Sequence, residues 1–144
     1  MRYAVLMLSV FLSSCETFHG VWGNSDEFEN FKGIDCVENI LKSSTEVGSI
    51  KREEYYPQRA EPHARPIAFK LSYSLKDAPE PNAEIFLNKA PSGKWQLRNS
   101  YGRLNIQMDP AKKEYAFKVI DELNNGMKSK CDIMASSNLK KTGS

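Results

Sequence analysis

Between Ile67 and Leu75 the apolar and aromatic side chains fall on every second position: Ile67, Phe69, Leu71, Tyr73 and Leu75, with Ala68, Lys70, Ser72 and Ser74 between them. A period of two is that of a strand with one buried and one wetted face, so the chain must build a sheet that packs a core against one side. Antiparallel sheets tolerate this arrangement, whereas parallel sheets bury both faces. The neighbouring sequence repeats the pattern. Ala83 to Asn88 is a second strand candidate, and Pro91-Ser92-Gly93 separates it from Lys94 to Asn99, where Trp95 and Leu97 alternate with Gln96 and Arg98. That order predicts a hairpin. Leu104, Ile106 and Met108 alternate again and suit the last strand of a meander, although Tyr101, Leu104 and Met108 also match a helix. Ser49 to Tyr56 carries Ile50, Tyr55 and Tyr56 among Lys51, Arg52, Glu53 and Glu54, charges that suit an edge strand.

Two segments change to helical spacing. Asp35 with Glu38 three residues on has the form of a capping box, and Val37, Ile40 and Leu41 then predict a helix near 36–44. Asp109-Pro110 is a strong helix start, followed by Ala116, Val119, Ile120, Leu123 and Met127 on one face. Asn124-Asn125-Gly126 is expected to end the regular part, and Cys131, Ile133 and Met134 to add a short strand. Pro57, Pro62 and Pro66 exclude a central strand or helix between the first two strands and predict an exposed loop. The expected fold is α+β: an antiparallel sheet of about four to five strands, flanked on one face by an N-terminal and a C-terminal helix, a two-layer sandwich. Residues 35–135 form that single domain, and 136–144 read as a flexible polar tail.

Ahead of the domain, an apolar run from Ala4 to Leu12 follows Arg2 and leads through Ser13 and Ser14 to Cys15. A run this short cannot span a bilayer, which takes about 20 apolar residues, but it matches the roughly 7–15 of an export signal. Leu12-Ser13-Ser14-Cys15 resembles the lipobox of bacterial lipoproteins. The resemblance, confined to residues 1–15, implies that residues 1–14 are removed as a signal peptide and that the Cys15 thiol receives a diacylglycerol, anchoring the chain in the membrane by its acyl chains. Glu16 stands where Asp is the usual inner-membrane retention signal of enteric-type lipoproteins, so the outer membrane, facing the periplasm, is implied. The other readings of this segment are an ordinary secretory signal cut elsewhere or a buried N-terminal strand. Residues 15–34, broken by Gly20, Gly23 and Gly33 and solvated by Asp26, Glu27 and Glu29, read as the membrane tether. As a flexible coil it would span roughly 25 Å. Phe18, Trp22, Phe28 and Phe31 have no place in a passive linker and are expected to dock on the domain or the membrane interface.

With Cys15 carrying lipid, Cys36 and Cys131 remain, and two exported thiols without neighbouring histidines point to a disulfide rather than a metal site. The alternative is two separate buried thiols. Closing a loop of roughly 100 residues is worth about 4–5 kcal/mol in the chain-entropy model. Loss of Arg2 with the signal lowers the formal net charge from +2 by one, which gives no electrostatic basis for binding nucleic acid.

Residue types that carry catalysis are sparse. His19 lies in the tether and His63 between two prolines, neither with a rigid partner, and no Gly-x-Ser-x-Gly elbow occurs. Glu53 and Glu54 are adjacent on a strand and point to opposite faces; Asp77 and Glu80 belong to a turn, Asp121 and Glu122 to a solvated helix face. No Ca²⁺-loop or Zn²⁺ spacing is present, and no cofactor is expected. The candidate binding face comprises Trp95, Arg98, Tyr101 and Arg103, with Lys70 and Lys94 nearby, since aromatics stack on sugars and Arg grips carboxylates. The plainer alternative puts Trp95 in the core and the cations in solvent. The expected function is that of a small, non-catalytic, lipid-anchored envelope protein that binds a macromolecular partner, either an envelope-assembly accessory or an immunity-type inhibitor. The rival is an enzyme or ligand carrier acting on envelope glycans or lipids.

Overall fold

The computed structural model describes residues 16–55, 68–133 and 139–143. In chain order the elements are β1 (Phe18–Asn24), α1 (Ile34–Ser43), β2 (Val47–Tyr55), β3 (Ala68–Leu75), β4 (Ala83–Lys89), β5 (Trp95–Leu104), α2 (Pro110–Lys130) and β6 (Lys140–Thr142). The strands make a six-stranded sheet in the order β2-β3-β4-β5-β1-β6, antiparallel at every junction. The α+β class expected from alternation is correct, with more strands than the central meander supplies.

The alternation of β3 works as expected. Leu71, Tyr73 and Leu75 are buried, and the β4 partners of the first two, Ile85 and Ala83, are buried with them. β5 continues the same face through Leu97, Asn99 and Tyr101, and β1 through Val21, which pairs with Tyr101. Against this face lie Val37, Ile40 and Leu41 of α1 and Ala116, Val119, Ile120, Leu123 and Met127 of α2, in one hydrophobic cluster. Both helices therefore cover the same side.

The expected tether is corrected over its described part: 16–34 does not stand clear of the domain. Phe18–Asn24 is a strand inside the sheet, and Ser25 and Phe28 extend its pairing through hydrogen bonds with Leu97 and Trp95. Gly20 and Gly102, which face each other across β1 and β5, explain why glycines there do not mark a linker. A Cβ on Gly102 would collide with the His19 carbonyl oxygen and the Phe18 ring, so the two strands approach as closely as glycine alone permits. The expected tail is corrected in the same way, because Lys140–Thr142 adds β6 beside β1.

Helix ends also differ. Asp35 caps nothing: α1 begins after Gly33 with no side-chain cap, and Asp35 instead accepts a 2.6 Å hydrogen bond from Arg52 Nη1 on β2. Asp109 does cap α2, accepting from the Ala111 and Lys112 N–H groups. Gly126 does not end that helix, which runs to Lys130. It sits where α2 crosses α1, and a Cβ there would be 3.3 Å from the Ile40 Cγ2 atom. Leu104 ends β5, so Ile106 and Met108 belong to the connection into α2 and not to a further strand. Cys131 and Ile133 are buried without forming a strand, and Met134 lies outside the described residues. The proline-bearing loop, residues 1–14 and Cys15 also lie outside them.

A disulfide joins Cys36, in the first turn of α1, to Cys131, just past α2, with the Cα atoms 5.8 Å apart. It fastens the two helices at one end of the sheet.

Candidate functional site

The four residues nominated as a binding face are not brought together. Tyr101 is completely buried, its hydroxyl donating to the Glu80 carbonyl oxygen at 3.1 Å. Arg98 lies on the opposite side of β5 from Tyr101, as the strand period requires. Trp95 and Arg103 share the helix-side face but stand at the two ends of the strand. Trp95 packs on Phe31, ring centroids 5.3 Å apart, with Lys89 Nζ 5.5 Å from its ring. Arg103 pairs with Glu80 at 3.7 Å. Of the nearby cations, Lys70 bonds Glu84 at 2.7 Å and Lys94 pairs with Glu29 at 3.3 Å.

A different surface is assembled by the register. On the sheet face away from the helices, Lys51, Ser72, Glu84, Ser100, Trp22 and Lys140 lie side by side in one row across the six strands. The next row runs Glu53, Lys70, Phe86, Arg98, Asn24. Trp22 is half-buried between two cations, with Arg98 Cζ and Lys140 Nζ each 5.5 Å from its ring centroid. Lys70 Nζ is 5.7 Å from the Phe86 ring. Such contacts hold cationic heads over aromatic faces. Lys51, Lys70, Arg98 and Lys140 face Glu53 and Glu84, so the patch is positive on balance. Hydrogen bonding with Lys51 and its charge keep the Glu53 carboxyl below its ordinary range, so it stays ionised. Arg98 belongs to this patch, and Trp22 is the residue that sequence reasoning missed. Its position in the supposed tether concealed it; the aromatic excess there was the available signal.

A second feature lies at the end of the sheet that carries the disulfide. Asp26, Glu27, Glu29 and Asp132, with Lys94 and Lys128, rim a cleft of about 810 Å³ floored by Phe28 and Ile133. Its charges are largely engaged with one another or nearby groups: Glu27 accepts from the Ser92 hydroxyl at 2.7 Å, and Lys32 pairs with Asp132 at 3.3 Å. Among the described residues no group of histidine, cysteine and carboxylate side chains is placed to hold a metal ion, and no helix is long and apolar enough to cross a membrane. The buried polar chain from Tyr73 through Asn99 to Asn124 serves packing: Tyr73 Oη donates to Asn99 Oδ1 at 2.9 Å, and Asn99 Nδ2 to Asn124 Oδ1 at 3.1 Å. Burial pushes the Tyr73 phenol well above its ordinary range. No family model, curated protein or solved structure matches this chain.

Proposed function

We propose that the protein is a lipid-anchored, non-catalytic binding module of the cell envelope, held by acyl chains on Cys15, whose helix-free sheet face around Trp22 receives an acidic protein partner. The observation that carries this reading is the cation-flanked Trp22 on a broad sheet surface that neither helix covers. An aromatic anchor ringed by donors is the composition of an interface hot spot, and Arg98 has the planar fork that grips carboxylates in pairs. An envelope-assembly accessory and an immunity-type inhibitor both fit this reading.

The test is site-specific photocrosslinking from position 100, beside Trp22, in intact cells. A crosslinked partner is expected that disappears when Arg98 and Lys140 are changed to Glu and persists when Lys94, at the end of the sheet beside the cleft, is changed in the same way. Persistence of the crosslink in the Arg98→Glu, Lys140→Glu chain counts against this face. The rival, an enzyme or carrier for envelope glycans or lipids, draws its support from the cleft beside Phe28, and it gains ground if only the Lys94 variant loses the ligand.

A further inference from the structure

The two large hydrophobic side chains most open to solvent among the described residues, Leu104 and Ile106, 53% and 52% exposed, lie at one pole of the sheet. Leu104 pairs with Phe18, the first residue of β1. The chain ahead of Phe18 is clamped there too: the Thr17 N–H donates to Asn105 Oδ1 at 2.9 Å, and the Asn105 N–H donates to the Thr17 carbonyl oxygen at 2.8 Å. Asn105 sits at a φ of 57°, a left-handed conformation that suits Asn and holds the clamp closed. Only Glu16 separates Thr17 from Cys15.

We propose that this pole, Phe18 with Leu104 and Ile106, rests in the headgroup layer of the bilayer that holds the Cys15 lipid, so that the domain stands directly on the membrane in a fixed orientation. The inference rests on the lipid-anchored reading, through Cys15 alone. Fully extended, three residues reach about 10 Å, so the glycerol carried by Cys15 and the Cα of Phe18 can be no farther apart than a small multiple of the headgroup layer, itself roughly 5–8 Å deep. Without a tether the chain can carry the Phe18 Cα only about 2–5 Å beyond that layer, within reach of the side chains at the pole. Leu104 and Ile106 are apolar where a solvated rim would carry charge, and they sit at the one end of the domain that the anchor forces against lipid. Beside Ile106 stand Arg103 and Lys112 with the carboxylates Glu80 and Asp109, Arg103 pairing with Glu80, so the contact is carried by the apolar side chains and not by a basic rim. The other pole, with the disulfide and the acidic cleft, then faces away from the membrane.

The experiment uses mature lipoprotein, purified with its acyl chains and reconstituted in phosphatidylethanolamine–phosphatidylglycerol vesicles with brominated or ordinary chains. Leu104→Trp and, independently, Ile106→Trp are compared with Ser92→Trp, which lies in the turn at the far pole. Expected are a blue-shifted emission and a loss of intensity with brominated lipid for the first two variants, and for Ser92→Trp the same response as the unsubstituted protein. Mass spectrometry of Cys15 separates the two readings. Acylated protein whose Leu104→Trp and Ile106→Trp emission is indifferent to bromine overturns the membrane contact and leaves the anchor standing, whereas unmodified Cys15 overturns both. A dimer joined through Leu104 and Ile106, with emission again indifferent to bromine, likewise overturns the contact in favour of a second copy.

Discussion

At the residue scale the molecule is governed by a few buried polar side chains. Asn99 is completely buried on the helix-facing side of β5, and it spends its amide joining a core tyrosine to α2. Asn99→Ala should destabilise the fold by about 1–3 kcal/mol, because the Tyr73 hydroxyl and the Asn124 amide lose their shared partner; the midpoint of denaturant unfolding reads it. Tyr115 supplies a pH dependence. Burial, reinforced by a 2.7 Å hydrogen bond to Glu46, pushes its phenol up to about 12. An unfolded tyrosine ionises near 10, so the folded protein holds this proton more tightly. Its contribution is fully present below about pH 10 and is lost as pH rises toward 12. Unfolding midpoints measured from pH 8 to 12 should fall at the alkaline end, and Tyr115→Phe should flatten part of that fall. Little of this was legible in sequence. Asp109 announced its cap because Pro110 followed it, but Asp35 had a capping-box motif of its own and was taken by Arg52 of β2. Nothing in the sequence near Asn99 distinguished a buried amide from a wetted one.

At the scale of elements, glycine decides where β1 goes. Gly102 has the His19 carbonyl oxygen and the Phe18 ring where a side chain would begin. Gly102→Val should therefore destabilise by about 1–3 kcal/mol or more, the cost of overpacking, with loss of amide-exchange protection concentrated in β1 and β5. Protection lost evenly over all strands would show that the close approach is not local to this pair. The central hairpin was legible because its strands alternate strictly and a Pro-Ser-Gly turn joins them. β1 was not, because Gly20 and Gly23 interrupt it and its acidic continuation resembles a solvated linker. The Cys36–Cys131 pairing was legible once Cys15 was read as the lipidated thiol, which left two cysteines without neighbouring histidines, although its structural effect, joining the two helices, depended on where those helices lie. The binding face was misplaced for a related reason: sequence proximity of Trp95, Arg98, Tyr101 and Arg103 mixes the two sides of a strand, whereas the Trp22, Arg98 and Lys140 set is built by pairing between distant segments.

At the scale of the whole molecule, the first and last described segments lie next to each other, with β1 between β5 and β6. A Cys15→Ala chain is expected to lose lipid labelling and to stay unprocessed or partition as soluble protein, since a single acyl chain already binds only marginally and none remains. Undiminished sedimentation with membranes would remove the anchor. The strand order has a further consequence for how the protein comes into being. If the chain is exported as proposed, its N-terminal end is delivered first, yet β1 finds its first neighbour only in residues 95–104 and its second in 140–142. On that reading a strand bearing Phe18, Val21 and Trp22 would wait unpaired beside the membrane while most of the chain is still crossing, and the long loop then closed makes that pairing slow relative to the meander. The segment that the proposed anchor would hold nearest the lipid is then the one most in need of protection before the domain exists, and an escorting chaperone would meet it there first.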